Sequence, residues 1–253
     1  EKDSNYDNVI LHVVWEHDVP IFRKDNTEIP VIELKNYVAQ EELSKYQSLV
    51  ATKSWIYCEN QIKDTVMFVM ENWFERMFFE RLERKSHPIE TLLYETENDW
   101  EAVLFCLLAK NFGLNTNGET FFKIAKSIPF SIIRKEALDV SYLEALLFGQ
   151  ANLLPSNPED NYSKELKSWF DYLVVKYKIN PIQVEAVQFF KHRPDNFPTI
   201  RLAQLCMLYH VHRNLFSKII EAKSVDVIYQ LFDVAVSPYW KTHYTFEKTS
   251  PKK

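Results

Sequence analysis

"CENQIKDTVMFVMENWFERMFFERLERK", residues 58–85, changes the period of the chain and with it the fold class. Ile62, Val66, Val69, Trp73 and Met77 recur at helical spacing, and Met70, Phe74, Phe78 and Leu82 widen the stripe. Such a helix runs about 40 Å at 1.5 Å per residue. Acidic and basic residues alternate on its other face, as on a solvated surface.

Upstream of this segment the pattern is β. "NVILHVVWEHD" (8–18) is apolar, β-branched and bounded by polar residues, which predicts a strand. "RKDNTE" (23–28) is rich in turn formers, and "IPVIELK" (29–35) reads as a second strand, so the two make a β-hairpin. "AQEELSKYQSLVATK" (39–53) is already helical.

Downstream, short helices follow with legible ends. Asn98 and Glu101 open "DWEAVLFCLLAKNFG", which Gly113 closes as a C′ residue, and Thr116 or Asn117 opens "GETFFKIAKS". Ser141 and Glu144 form a capping box for "YLEALLFG", ended by Gly149. "LLPSNPEDN" (153–161) is the clearest linker. A helix carrying Tyr162, Leu166, Trp169, Phe170, Leu173 and Tyr177 comes next. Pro198 sits as N1 of "TIRLAQLCMLYHVHRNLFSKIIEAK", and a last helix near 224–236 precedes the aromatic "SPYWKTHYTF", which reads as an extended segment that docks on the body or leads on to further residues, with an aromatic binding surface as the alternative. The expectation is α+β, mainly helical: a β-hairpin in 1–38 that forms part of a larger sheet, then a multi-helix body over 39–253.

Composition excludes several classes of function. The 253 residues contain only three glycines, against 18 Phe, 13 Tyr and 6 Trp, and no phosphate-cradling glycine loop exists. Cys58, Cys106 and Cys206 lack paired spacing and read as buried thiols in a reducing, cytoplasmic compartment. No apolar run approaches the ~20 residues of a membrane span. The N-terminal "EKDSNYDNV" has no signal-peptide pattern and no initiator Met, so the chain reads as a fragment. A net charge of −5 gives nucleic acid no global attraction.

Two constellations could carry chemistry. With a hairpin turn centred on Asp25-Asn26, Asp18 lies opposite Glu33 and Glu16 opposite Lys35, on one face with His12. Glu16, Asp18 and Glu33 could then hold Mg²⁺ or Mn²⁺ while Lys35 places water for phosphodiester hydrolysis, with Asp18 and Glu33 catalytic as well. A turn longer by one residue puts Glu33 and Lys35 beside Trp15 and His17 instead. The plain alternative is a Glu16–Lys35 cross-strand ion pair at the sheet's edge. The second constellation is "KHRPDNFPTIR", where Arg193, Asn196 and Arg201 flank a helix start that favours an anion. Its structural alternative makes Asn196 a helix cap and pairs both arginines internally. His210 and His212 point apart on a helix and cannot share a metal.

"DNVILHVVWEHD", "IPVIELK", "DWEAVLFCLLAKNFG", "YLEALLFGQANLL", "RPDNFPTIRLAQL" and "YWKTHY", in this order, resemble a bacterial family, domain of unknown function 2851. The resemblance covers essentially the whole chain. It implies members longer at both ends, with a PD-(D/E)XK-like core upstream of Glu1 and residues 8–35 as later strands. Glu33-x-Lys35 would then be a coincidental echo of that core. The family has no established activity. The favoured reading is therefore a cytoplasmic helical scaffold without a cofactor and with no membrane contact, whose partner is unknown, a protein being the candidate. The alternative is a metal-dependent phosphodiesterase or nuclease of PD-(D/E)XK type, the only case needing Mg or Mn and nucleic acid. A nuclease should carry a basic surface continuous with Glu33, and a scaffold an exposed apolar patch.

Overall fold

The computed structural model describes residues 8–51, 55–56, 59–182, 185–246 and 248–249. The chain divides into two compact units, Glu1–Arg81 and Leu82–Lys253, and is mainly helical. Cys58 lies outside the described residues.

In the first unit, β1 (His12–Val14) and β2 (Val31–Glu33) pair in parallel, with His12 beside Val31 and Val14 beside Glu33. The expected hairpin is thus corrected, and two prolines explain why. A turn does form at Asp25-Asn26: Asn26 takes φ 63°, Arg23 N–H donates to Thr27 O at 2.8 Å, and Phe22 bridges Glu28. Continued outward, that ladder would set Pro20 against Pro30, and neither has an N–H to donate. The last bond is Ile29 N–H to Ile21 O at 2.9 Å. Beyond it the chain swings round and lays β2 alongside β1 instead.

A 3-10 turn at Leu34–Asn36, α1 (Gln40–Val50) and the single turn α2 (Glu59–Ile62) follow. The long helix expected over 58–85 is interrupted at 63–66 and resumes as α3 (Met67–Glu95), which enters the second unit. α3 runs through Pro88, which leaves the Arg84 carbonyl without its helical N–H donor, on an exposed stretch. It ends where Glu97 and Asn98 turn left-handed, φ 54° and 66°.

The second unit is a helical body: α4 (Trp100–Phe112), α5 (Leu114–Lys126), α6 (Phe130–Glu136), α7 (Val140–Gln150), α8 (Asn161–Tyr177), α9 (Pro198–Val211), α10 (Leu215–Glu221) and α11 (Val225–Phe232). α7 is its centre. Every residue from Leu143 to Gln150 is buried, and α7 packs on α5, α6, α8 and α9. Gly149 is there for closeness, not for a turn: a Cβ would fall 2.1 Å from the Phe170 ring, and the helix runs past it to Gln150. Gly113 likewise keeps a right-handed φ of −69°, so it is no left-handed C′ residue, and Leu114 takes the positive φ.

Several expected caps move by a residue or two. Asp99, not Asn98, caps α4 through Glu101 N and Ala102 N; Asp139, not Ser141, caps α7 through Ser141 N. α5 begins at Leu114, which puts Asn117 inside the helix, buried. Pro198 does open α9. The expected long helix beyond it breaks at His212, where α9 gives way to α10.

The aromatic tail docks on this body. Pro238–Lys241 forms a 3-10 turn that buries Trp240 against Phe148 and Phe246, and β3 (His243–Thr245) pairs antiparallel with β4 (Lys248–Thr249).

Candidate functional site

Parallel pairing decides what the N-terminal carboxylates do. Glu33 Oε1 accepts from His17 N–H at 3.1 Å and Oε2 from Asn36 Nδ2 at 3.3 Å. Lys35 Nζ pairs with Glu16 at 3.1 Å, both side chains more than half exposed, so the pair is worth little in water. Asp18 folds back onto Val19 N–H at 2.8 Å. Among the described residues, no three His, Cys, Asp or Glu gather as a metal site. Each carboxylate thus closes a local backbone or ion-pair contact.

"KHRPDNFPTIR" is split by the structure. Phe197, not Asn196, is the N-cap of α9, and no side chain caps that helix. Asn196 Oδ1 instead accepts from Arg201 Nη2 at 2.8 Å, while Arg201 Nη1 reaches Gln204 at 3.1 Å. Pro198, Thr199 and Ile200 at the start of α9 are buried, so an anion has no access there. Arg193 and Asn196 line a different place, an open cleft of about 1030 Å³ shared with Lys110, Lys191, His192 and the first turn of α5.

One exposed surface stands apart. From Met67 to Leu82, α3 holds Phe68, Trp73, Phe74, Met77, Phe78 and Phe79 more than half exposed, Phe74 at 65%. Isolated exposed apolar residues are ordinary; a continuous stripe of large ones on a single helix marks a contact surface.

Sequence reasoning missed two carboxylates that tie distant segments together. Glu144 is wholly buried, accepting from Tyr162 Oη at 2.7 Å and Ser237 Oγ at 2.8 Å. It is no capping-box residue. Burial pushes its carboxyl up to about 7, although both hydroxyls lower it. Trp240 Nε1 in turn donates to Tyr162 Oη at 2.9 Å, so the network ties the tail to α7 and α8. Glu101 does not cap its own helix either. Its carboxylate accepts from Phe216 N–H at 2.9 Å and Ser217 N–H at 3.2 Å, closing the N-terminus of α10. A Glu within an apolar helix was the only available signal for either role, and it resembles a cap of its own helix as much as an acceptor for a distant segment.

Cys106 and Cys206 are free and buried, and burial raises both thiols, Cys106 to about 11, which makes them poor nucleophiles at neutral pH. No helix among the described residues is long and apolar enough to cross a membrane. No curated protein and no solved structure matches the chain. The family model for proteins of unknown function (DUF2851) matches residues 1–253 from end to end, in keeping with the ordered resemblance of its segments, and the chain belongs to that family.

Proposed function

We propose that the chain acts as a helical interaction module that pairs with a second copy of itself through α3. The carrying observation is the exposed apolar stripe of that helix, Phe68 to Leu82. Buried against a partner, each such side chain contributes about 1.5–3 kcal/mol.

The order of charges along α3 favours a second copy, antiparallel. With the twofold axis at Phe78, Phe74 meets Leu82 of the other copy. The same placement sets Glu71 against Lys85 and Glu75 against Arg81, both opposite in sign. A parallel pairing in register would face each charge with itself, at a cost.

Sedimentation of the full chain across a range of concentrations tests the reading. A monomer–dimer equilibrium is expected. Glu75→Arg, which brings like charges together twice, should weaken association roughly tenfold. Adding Arg81→Glu should restore it, a rescue that non-specific apolar association would not show. A monomer at every concentration, or a dimer indifferent to both changes, overturns the reading.

A further inference from the structure

The cleft between the α4–α5 corner and residues 191–196 carries an inference independent of α3. One wall is the end of α4 with Lys110 and the first turn of α5, lined by Leu114, Asn115 and Thr116. The other is the segment holding Lys191, His192, Arg193 and Asn196. The segment is fastened from beneath. Buried Asn117 donates to Gln188 O at 2.8 Å and accepts from Gln188 N–H at 2.8 Å, and its Nδ2 lies 3.4 Å from His192 Nε2. At the far end Arg201 holds Asn196.

The charges in the cleft do not balance. Lys110 pairs with Glu119 at 2.5 Å, which neutralises one cation. Lys191 and Arg193 are exposed and make no ion pair among the described residues, although Lys191 lies over the Phe190 ring at 5.5 Å. Two positive charges are therefore left uncompensated on a chain whose net charge is −5.

We infer that this cleft binds a small phosphorylated molecule, with its phosphate groups held by Lys191 and Arg193. A planar guanidinium suits two phosphate oxygens at once, and the lysine supplies a mobile point charge. The volume, about 1030 Å³, is that of a pocket for one small ligand. Asn111, Asn115, Thr116 and Asn196 offer neutral hydrogen-bonding groups for the rest of it. A nucleic-acid backbone fits less well, because it needs a basic stripe several phosphates long on a surface that is otherwise acidic overall.

Calorimetry with pyrophosphate as the probe, on the full chain, tests this. Saturable binding is expected, weakened at least tenfold in Lys191→Ala/Arg193→Ala with no change in melting temperature. Exposed Lys223→Ala, outside the cleft, should leave affinity unchanged, and Arg193→Lys should recover only part of it. No binding, or binding indifferent to the double change, overturns the inference. So does a single-stranded oligonucleotide that binds more tightly than pyrophosphate and loses its affinity in the same double variant.

Discussion

Between Met67 and Leu82, α3 presents Phe68, Trp73, Phe74, Met77 and Phe78 to solvent; between Ile89 and Leu93 the same helix buries Leu92 and packs Ile89 and Leu93 beside the core. The two stretches share one stripe at one spacing, and the helix runs unbroken through both. Periodicity fixes which face of a helix is apolar, because side chains three and four apart lie above one another. It says nothing about what covers that face. In the second stretch the core of the same unit supplies the cover, Leu92 lying beside Phe105, Ala125 and Phe130; in the first the apolar side chains are exposed.

Substitution should separate the two stretches sharply. Leu146, wholly buried on α7, leaves a cavity when cut to alanine, and Leu146→Ala should cost about 2–5 kcal/mol in chemical denaturation. Phe74→Ala removes a larger side chain yet should move the unfolding midpoint by less than about 0.5 kcal/mol in dilute solution. Equal losses would mean that the α3 stripe is part of the folded core.

A middle-sized effect should come from Glu144. Its carboxyl titrates near 4.5 when unfolded and near 7 when folded, so between these values the native state holds a proton that the unfolded state has released. Stability should therefore fall as pH rises through this window, by roughly 3 kcal/mol, and level off above it. Glu144→Gln keeps an acceptor for Tyr162 and a donor for Ser237 while removing the titration. Its denaturation midpoints should be flat across the same window. A wild-type profile equally flat from pH 4.5 to 7 would show that the carboxyl does not carry the linkage.

The smallest effect sharpens the reading of α10. Glu101→Ala strands the N–H groups of Phe216 and Ser217 and should cost about 1–2 kcal/mol. Hydrogen exchange should accelerate at 215–221 before it does in α7. Uniform acceleration across the second unit would count against a local capping role.

The mainly helical character was legible in the sequence, but the N-terminal pairing was not. "NVILHVVWEHD" and "IPVIELK" have true strand composition, and a turn does sit at Asp25-Asn26. What composition hid was the position of Pro20 opposite Pro30, which stops the ladder after Ile21 and lets β2 reach β1 in parallel. The site residues followed suit. Glu16 and Lys35 pair as a cross-strand reading suggested, through a different register, whereas Arg201 donates to Asn196 and the two close on each other.

Local, short-range physics was legible in the chain itself: the dominance of helix, which helix faces are apolar, where Pro198 opens α9, and the absence of any glycine loop for phosphate. Tertiary structure alone decided the rest. Glu144 meets Ser237 across 93 residues, Asn117 meets Gln188 across 71, and Glu101 reaches α10 across 115. A buried polar group must find its partner wherever packing brings one within hydrogen-bonding distance. No spacing in the chain encodes that distance, so the buried network, the cleft and the exposed half of α3 became visible only in the fold.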